Sequence, residues 1–278
     1  MKQYIPVLTI AGSDCSGGAG IQADIKTISA IGCYAMSAIT SITAQNTQGI
    51  KSISGLSPEM VYDQLDMIWA DIPPLATKTG MLLNKEIIHI VADFLKHHFA
   101  RNIVIDPVMI STSGSHLLND DAIDSMKSEL FPLSRIVTPN FHEARALTGF
   151  TKPQDQAKSF RDMGCKNILL KGGDSPNNGL KIDYLLMENE DELITLTADT
   201  VITDNTHGTG CTLSSAIATY LALDFDILDA VTRAKSYITR ALRAGATVKT
   251  GSGHGPVNHL FAPRHTKYLI TKNHADNH

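Results

Sequence analysis

The sequence lacks any excess of positive charge. Lysine and arginine number 24 against 28 aspartates and glutamates, a formal net charge of -4. No basic face is therefore expected for nucleic acid or an anionic membrane, and a small metabolite is the expected partner. Cysteine is scarce: Cys15, Cys33, Cys165 and Cys211 form no C-x-x-C and no close pair, which argues against a disulfide framework or a cysteine-based metal site. The 11 histidines are scattered, with no H-E-x-x-H grouping. Long apolar runs are missing too. The opening MKQYIPVLTIAGSD reaches Gly and Asp too soon for a signal peptide, and no later stretch approaches a membrane span. The expectation is a cytoplasmic protein. No linker, low-complexity stretch or internal repeat divides the chain, so its 278 residues with 43% hydrophobic content are read as one domain, 1–278. The last ~10 residues are expected to form a surface tail.

What the chain does contain is a recurring alternation. Apolar, β-branched runs appear as IPVLTIAG, SAITSITA, LATKTGM, NIVIDPVM, RIVTPN and NILLKGG, which read as strands. Helical spacing lies between them, as in Ile87, Ile88, Val91 and Leu95, or Leu213, Ala216, Ile217, Tyr220 and Leu221. This predicts an α/β fold: a mostly parallel central sheet with helices on both faces. The segment 182–200 differs, because two strand-like runs flank a polar turn at Glu188 to Asp191. It is expected to be an antiparallel hairpin at the sheet edge, or a flap. The stretches 111-STSGSH-116 and 174-DSPNNGLK-181 are candidate mobile covers over a site. Cys33 and Cys165, each after a glycine at the end of a helical pattern, read as buried packing residues.

In open parallel sheets ligands gather beyond the carboxyl ends of the strands, so the residues following each apolar run carry the chemistry. The first such stretch, 11-AGSDCSGGAGIQAD-24, is glycine-rich, but its spacing matches neither G-x-G-x-x-G nor a Walker loop. Ligand contact and tight turns are equally good readings of its glycines. Asp24 is alternatively a carboxylate favoured near a helix N-terminus. Asp106 ends an apolar strand before Pro107, and is either a turn cap or a cation ligand. Asn140 and Glu143 form a capping box or face a site together. Lys171, before two glycines, either neutralises a phosphate or is solvated at a turn.

The most specific stretch is 205-NTHGTGCTLSSAIATYL-221. Backbone N–H groups from Gly208 to Cys211 are left without partners at a helix start, and the glycines let an anion approach them. Donors fixed in this way suit a transferring phosphoryl group, whose negative charge is spread over its oxygens. The alternative is a glycine-rich helix entry with a buried thiol.

Taken in order, 9-TIAGSDCSGGAGIQADIKT-27, 44-AQNTQG-49, 78-KTGML-82, 105-IDPVM-109, 138-TPNFHEA-144, 171-KGG-173, 206-THGTGCTLSSA-216 and 255-GPVNH-259 give the chain a close resemblance. It resembles, over nearly its whole length, the hydroxymethylpyrimidine/phosphomethylpyrimidine kinases of thiamine biosynthesis, which have the ribokinase-like fold. The resemblance implies an ATP- and Mg2+-dependent homodimeric enzyme that phosphorylates 4-amino-5-hydroxymethyl-2-methylpyrimidine and then its monophosphate. It implies that Gln45 hydrogen-bonds the aminopyrimidine, with Gly12, Asp24, Met81 and Val108 in the same pocket. Asp106 and Glu143 would organise Mg2+, directly or through water, and Asn140 and Lys171 would serve the nucleotide phosphates. Thr206, Gly208, Thr209 and Gly210 would form the anion hole, with Cys211 at the acceptor hydroxyl. Many sugar kinases of the same superfamily have aspartate where Cys211 stands, and an aspartate would repel a phosphate acceptor. The helix N-terminus is expected to lower the Cys211 pKa from about 8.5 toward base action. One departure from the family pattern is Cys15, where a proline is usual. The nearest alternative activity is a vitamin B6 kinase, from which Gln45 distinguishes the chain; a catalytically silent binding protein on the same fold is the alternative from another class.

Overall fold

The computed structural model describes residues 1–109, 120–177 and 179–270. In chain order the first elements are β1 (Lys2–Tyr4), β2 (Pro6–Asp14), α1 (Gly20–Ile31), β3 (Tyr34–Asn46), β4 (Gly49–Gly55), α2 (Pro58–Asp71), β5 (Ala76–Thr79), α3 (Lys85–His97), β6 (Ile103–Ile105) and α4 (Asp120–Ser125). They continue as β7 (Ile136–Val137), α5 (Phe141–Thr148), α6 (Pro153–Asp162), β8 (Ile168–Asn177), β9 (Leu180–Leu186), β10 (Ile194–Asp199), α7 (Thr209–Ala222), α8 (Ile227–Gly245) and β11 (Tyr268–Ile270).

Nine strands share one sheet in the order β10-β9-β8-β7-β6-β5-β2-β3-β4. Neighbours from β8 through β3 run parallel. Strand parity sorts the side chains into two layers. Leu8, Ile10, Ile105, Val137, Ile168 and Leu170 pack toward α2, α3, α5 and α6, whereas Val7, Val104, Ile136 and Leu169 pack toward α1, α7 and α8. Covering both faces is what turns the strand sequences into continuous apolar runs. Each buried branched side chain contributes roughly 1.5–3 kcal/mol before entropy is counted. Helix α7 is itself enclosed, with every residue from Thr212 to Ala222 buried, so its N-terminus is held rigidly against the sheet.

All six apolar runs are strands, and the segment 182–200 does form an antiparallel hairpin, β9–β10, at the sheet edge. Strand β4, antiparallel at the opposite edge, is not visible in the sequence pattern because GIKSISG is largely exposed. The same holds for the small β1–β11 sheet, all six residues of which are exposed. Of the expected covers, 111–116 lies outside the described residues. In 174–181, residue 178 does too, while 174–177 belong to β8 and 180–181 to β9. Of the expected tail (the last ~10 residues), 271–278 are likewise outside them, while 269–270 belong to β11.

The chain leaves β2 for β3 on one side and later places β5 on the other. The carboxyl ends of β2 and β5 therefore flank a topological switch point, the place where such sheets bind ligands.

Candidate active site

A cavity of about 960 Å3 opens at that switch point. Its wall includes Gly12, Gln45, Met81 and Val108, which the resemblance placed at the acceptor. Asp106, Asn140, Glu143, Lys171 and the run Thr206 to Cys211 line the same cavity. Gly12 is there for space: a Cβ on it would press on Met81 Cε and Ser41 Oγ. At Gln45, Oε1 lies 3.1 Å from Thr43 Oγ1, whose single proton is shared with Ser13 O (2.9 Å). Cys15, the departure from the family pattern, seats its Sγ against the Gln45 backbone, 3.1 Å from O and 3.3 Å from N.

Two glycine loops interlock to form the helix entrance. Gly208 caps α7 in the left-handed region (φ 81°), and a Cβ on it would overlap the carbonyl oxygen of Gly18. A Cβ on Gly18 would in turn overlap the His207 ring. Asp14 locks the two loops together. Its carboxylate accepts from Ser16 N (2.9 Å), Ser16 Oγ (2.7 Å), Gly18 N (3.1 Å), Ala19 N (2.9 Å) and His207 Nε2 (2.8 Å). An ionised carboxylate only accepts, so the His207 proton sits on Nε2. Burial pushes Asp14 upward, but the bonds from His207, Ser16 and Ala19 outweigh it and hold the group at about 2.

That depression makes a testable contribution to stability. The unfolded carboxyl titrates near 3.8, so the folded state gains about 2–3 kcal/mol, present above the unfolded value and lost as pH falls through about 2. Urea unfolding of Asp14→Asn across pH 5 to 2 should show the deficit against the native chain shrinking by roughly that amount. A deficit independent of pH would contradict this account.

Within the entrance, Thr209 N–H bonds Thr206 O (3.2 Å) and Thr212 N–H bonds Gly208 O (2.9 Å). The N–H groups of Gly210 and Cys211 make no backbone bond among the described residues. Gly210 borders the charged end of the site: a Cβ on it would lie 3.5 Å from both Asp106 Oδ2 and Lys171 Nζ. Lys171 Nζ is 2.8 Å from Asp106 Oδ1, and Thr138 (3.2 Å) and Ser214 (3.3 Å) also donate to Asp106. Burial alone would raise Asp106, yet the Lys171 and Lys78 charges hold it below the usual range. Asn140 and Glu143 do form a reciprocal capping box on α5, 2.7 and 2.8 Å, and both also reach the cavity. The two readings of this pair are therefore compatible. Burial, reinforced by Asp106 and opposed by Lys171, pushes Glu143 up to about 7.

Two sequence expectations are corrected. Cys211 is not an activated thiolate: burial pushes it up to about 11, the nearby Lys78 and the Gly20 N–H offsetting only part of this against Asp24 and Asp106. Asp24 is not part of the cavity wall. It lies in the second turn of α1, wholly buried, where it accepts from Thr9 Oγ1 (2.6 Å), Ser215 Oγ and Lys78 Nζ (2.8 Å). Lys78 reaches the wall instead. Cys33 and Cys165 are buried as expected, their thiols pushed up to about 11 and about 12 by burial.

Asp14, His207 and Lys78 carry structure in the site yet drew no assigned role from the sequence. Asp14 and Lys78 end strands beside residues that did, which was the available signal. His207 gives no such signal, since its partner lies 193 positions away.

A rigid helix entrance with free N–H groups, set against a lysine–aspartate pair at a switch point, suits a phosphoryl group passing between two oxygens. This is a small-molecule kinase of ribokinase-like fold. A family model described as phosphomethylpyrimidine kinase matches residues 14–258. A hydroxymethylpyrimidine/phosphomethylpyrimidine kinase of Rhizobium meliloti is 43% identical over 259 residues, 91% of this chain and 96% of that protein. A bifunctional thiamine biosynthesis protein of Geobacter sulfurreducens is 44% identical over 92% of this chain, which spans about half (52%) of that longer protein. Among solved structures, the phosphomethylpyrimidine kinase of Clostridium difficile superposes with TM-score 0.74 at 43% identity, covering 85% of this chain and 99% of its own. A Staphylococcus aureus pyridoxal kinase in complex with AMP-PCP and pyridoxal gives 0.82 at 32%, covering 92% and 93%. The chain belongs to the hydroxymethylpyrimidine/phosphomethylpyrimidine kinase family of thiamine biosynthesis.

Proposed function

We propose that this one cavity carries out both phosphorylations, of the hydroxymethyl alcohol and then of its monophosphate, with ATP as donor. In each step an acceptor oxygen bonds to the γ-phosphorus while the bond to the β–γ bridging oxygen breaks and ADP leaves. The alcohol also gives up its proton, which passes to the transferred phosphate or to solvent water. The observation that carries this reading is the α7 entrance, where the Gly210 and Cys211 N–H groups make no backbone bond among the described residues and Gly210 lies beside the Lys171–Asp106 pair. Gly208 and Thr209 shape that hole, with Thr206 at its rim. Lys171 and the Asn140 amide are assigned to the nucleotide phosphates. Gln45 pairs with the aminopyrimidine, its Oε1 accepting the amino group and its Nε2 donating to a ring nitrogen; Gly12, Met81 and Val108 enclose the ring.

Asp106 and Glu143 fit a role with Mg2+. They are two buried carboxylates on one cavity wall, the second held near neutrality partly by the charge of the first, so a cation relieves the repulsion between them. Among the described residues no cluster of three acidic, histidine or cysteine ligands exists. This suits a metal that keeps water and takes substrate phosphates as its other ligands. When bound, Mg2+ neutralises phosphate charge.

The resemblance also supports a homodimer and a cytoplasmic location; no described helix is long and apolar enough to cross a membrane. Sedimentation velocity tests the dimer.

Turnover with ATP, assayed with and without Mg2+ against the alcohol, the monophosphate and pyridoxal, tests the assignment. Both pyrimidines should be phosphorylated only with Mg2+, and preferred to pyridoxal. Clear preference for pyridoxal would overturn it.

A further inference from the structure

Among the described residues, the buried carboxylates Asp24 and Asp106 are each paired with a lysine, and these two pairs flank the α7 entrance. On the nucleotide side, Lys171 and Asp106 both reach the cavity. The second pair is built differently. Lys78 and Asp24 are 2.8 Å apart and both wholly buried, but only Lys78 contributes to the cavity wall. Asp24 turns the other way, toward hydroxyls of β2 and α7 that Thr9 and Ser215 supply. The pair is thus a fixed, wholly buried dipole behind the cavity wall, with the lysine as the member that borders the cavity. Of the three donors on Lys78 Nζ, only the one to Asp24 has an acceptor among the described residues. Burial opposes its charge, but Asp24 and Asp106 outweigh burial and keep it protonated.

The two acceptors of this reaction differ in charge. The alcohol arrives neutral; the monophosphate arrives as an anion and must approach a γ-phosphoryl that is itself negative. Lys171 is already paired with a carboxylate facing the same cavity, and the Cys211 thiol is neutral. Besides the free N–H groups, Lys78 is the positive group beside Cys211.

We propose that Lys78, oriented by Asp24, is a specificity-determining residue that favours the phosphorylated acceptor over the alcohol. This rests on the two-step reading given under Proposed function. Lys78 acts through its field on the acceptor, and Asp24 is the positioning residue that points it.

The test compares kcat/KM for the monophosphate with kcat/KM for the alcohol. The double variant Lys78→Met/Asp24→Asn removes both charges together, so no unpaired buried ion confuses the result. Its monophosphate-to-alcohol ratio should fall by about threefold to tenfold, the scale of a dipole of this length a few ångströms away at an intermediate dielectric. Lys78→Met alone removes the positive member whatever Asp24 then does, and should lower the ratio at least as far. If the pair serves only to hold the fold, both variants leave the ratio at the native value, and the proposal is overturned. Should the double variant not fold, Lys78→Met decides alone: a ratio that does not fall overturns it. A native chain that phosphorylates neither pyrimidine defeats the two-step reading itself, an outcome visible before any variant is made.

Discussion

Alanine at Gly208 should cut turnover of both acceptors by about a thousandfold while leaving a folded, less stable protein. Two independent features of the structure require glycine there. The backbone is left-handed at φ 81°, a conformation that costs an L-residue roughly 1–2 kcal/mol. The added Cβ also overlaps Gly18 O, a backbone atom that cannot swing aside. Relief demands that the Asp14 to Ala19 loop and the start of α7 move apart, breaking the register that Asp14 and His207 maintain. A displacement of about 1 Å at a reacting group costs on the order of a hundredfold by itself, and the Gly210 and Cys211 donors shift with the helix start. Steady-state kinetics together with thermal unfolding would separate the effects. Native kcat in the variant would show that the entrance does not hold the transferring group.

Lys171→Met should be as damaging, and for a different reason. It removes the cation beside the free N–H groups and leaves Asp106, 2% exposed, as a buried charge without its partner. Breaking such a pair costs about 3–5 kcal/mol of stability, and losing a fixed positive group at a transferring phosphoryl costs about a hundredfold to a thousandfold in kcat. Adding Asp106→Asn removes the stranded charge. The double variant should therefore regain most of the stability, measured by urea unfolding, and none of the activity. Near-native turnover in Lys171→Met alone would mean that Lys171 acts only as a structural counter-ion.

How much of this was readable in the chain varies with the physics of each part. The parallel strands announce themselves because both faces are buried, which leaves an unbroken apolar run for the helical layers on either side to cover. Edge strand β4 gives no such signal: its pairing is made of backbone bonds, and residues such as Lys51 and Ser52 are exposed. The strand-end rule located part of the cavity wall, including Gln45, Met81, Asp106 and Lys171, but not the part lined by Asp183, Asp199 and Lys235. It could not say which way a side chain turns. Asp24 and Lys78 stood in equally suggestive positions, and only the fold shows that the lysine reaches the cavity while the aspartate faces the interior. The ionisation of Cys211 was misjudged for a related reason. A helix N-terminus favours a thiolate, but enclosure between α1 and the sheet, beside Asp24 and Asp106, works against it more strongly.

A neutral Cys211 changes what its replacements should do. Serine keeps an uncharged donor and should affect the two steps alike. Aspartate places a permanent negative charge where both acceptors must bind, tolerable to an alcohol and repulsive to a phosphate. The account's central claim is that the acceptor end is kept free of negative charge so that one cavity can serve both substrates. Measuring kcat/KM for the alcohol and for the monophosphate in Cys211→Asp tests this most directly. The monophosphate reaction should fall about a hundredfold further than the alcohol reaction; equal losses in the two would contradict the claim.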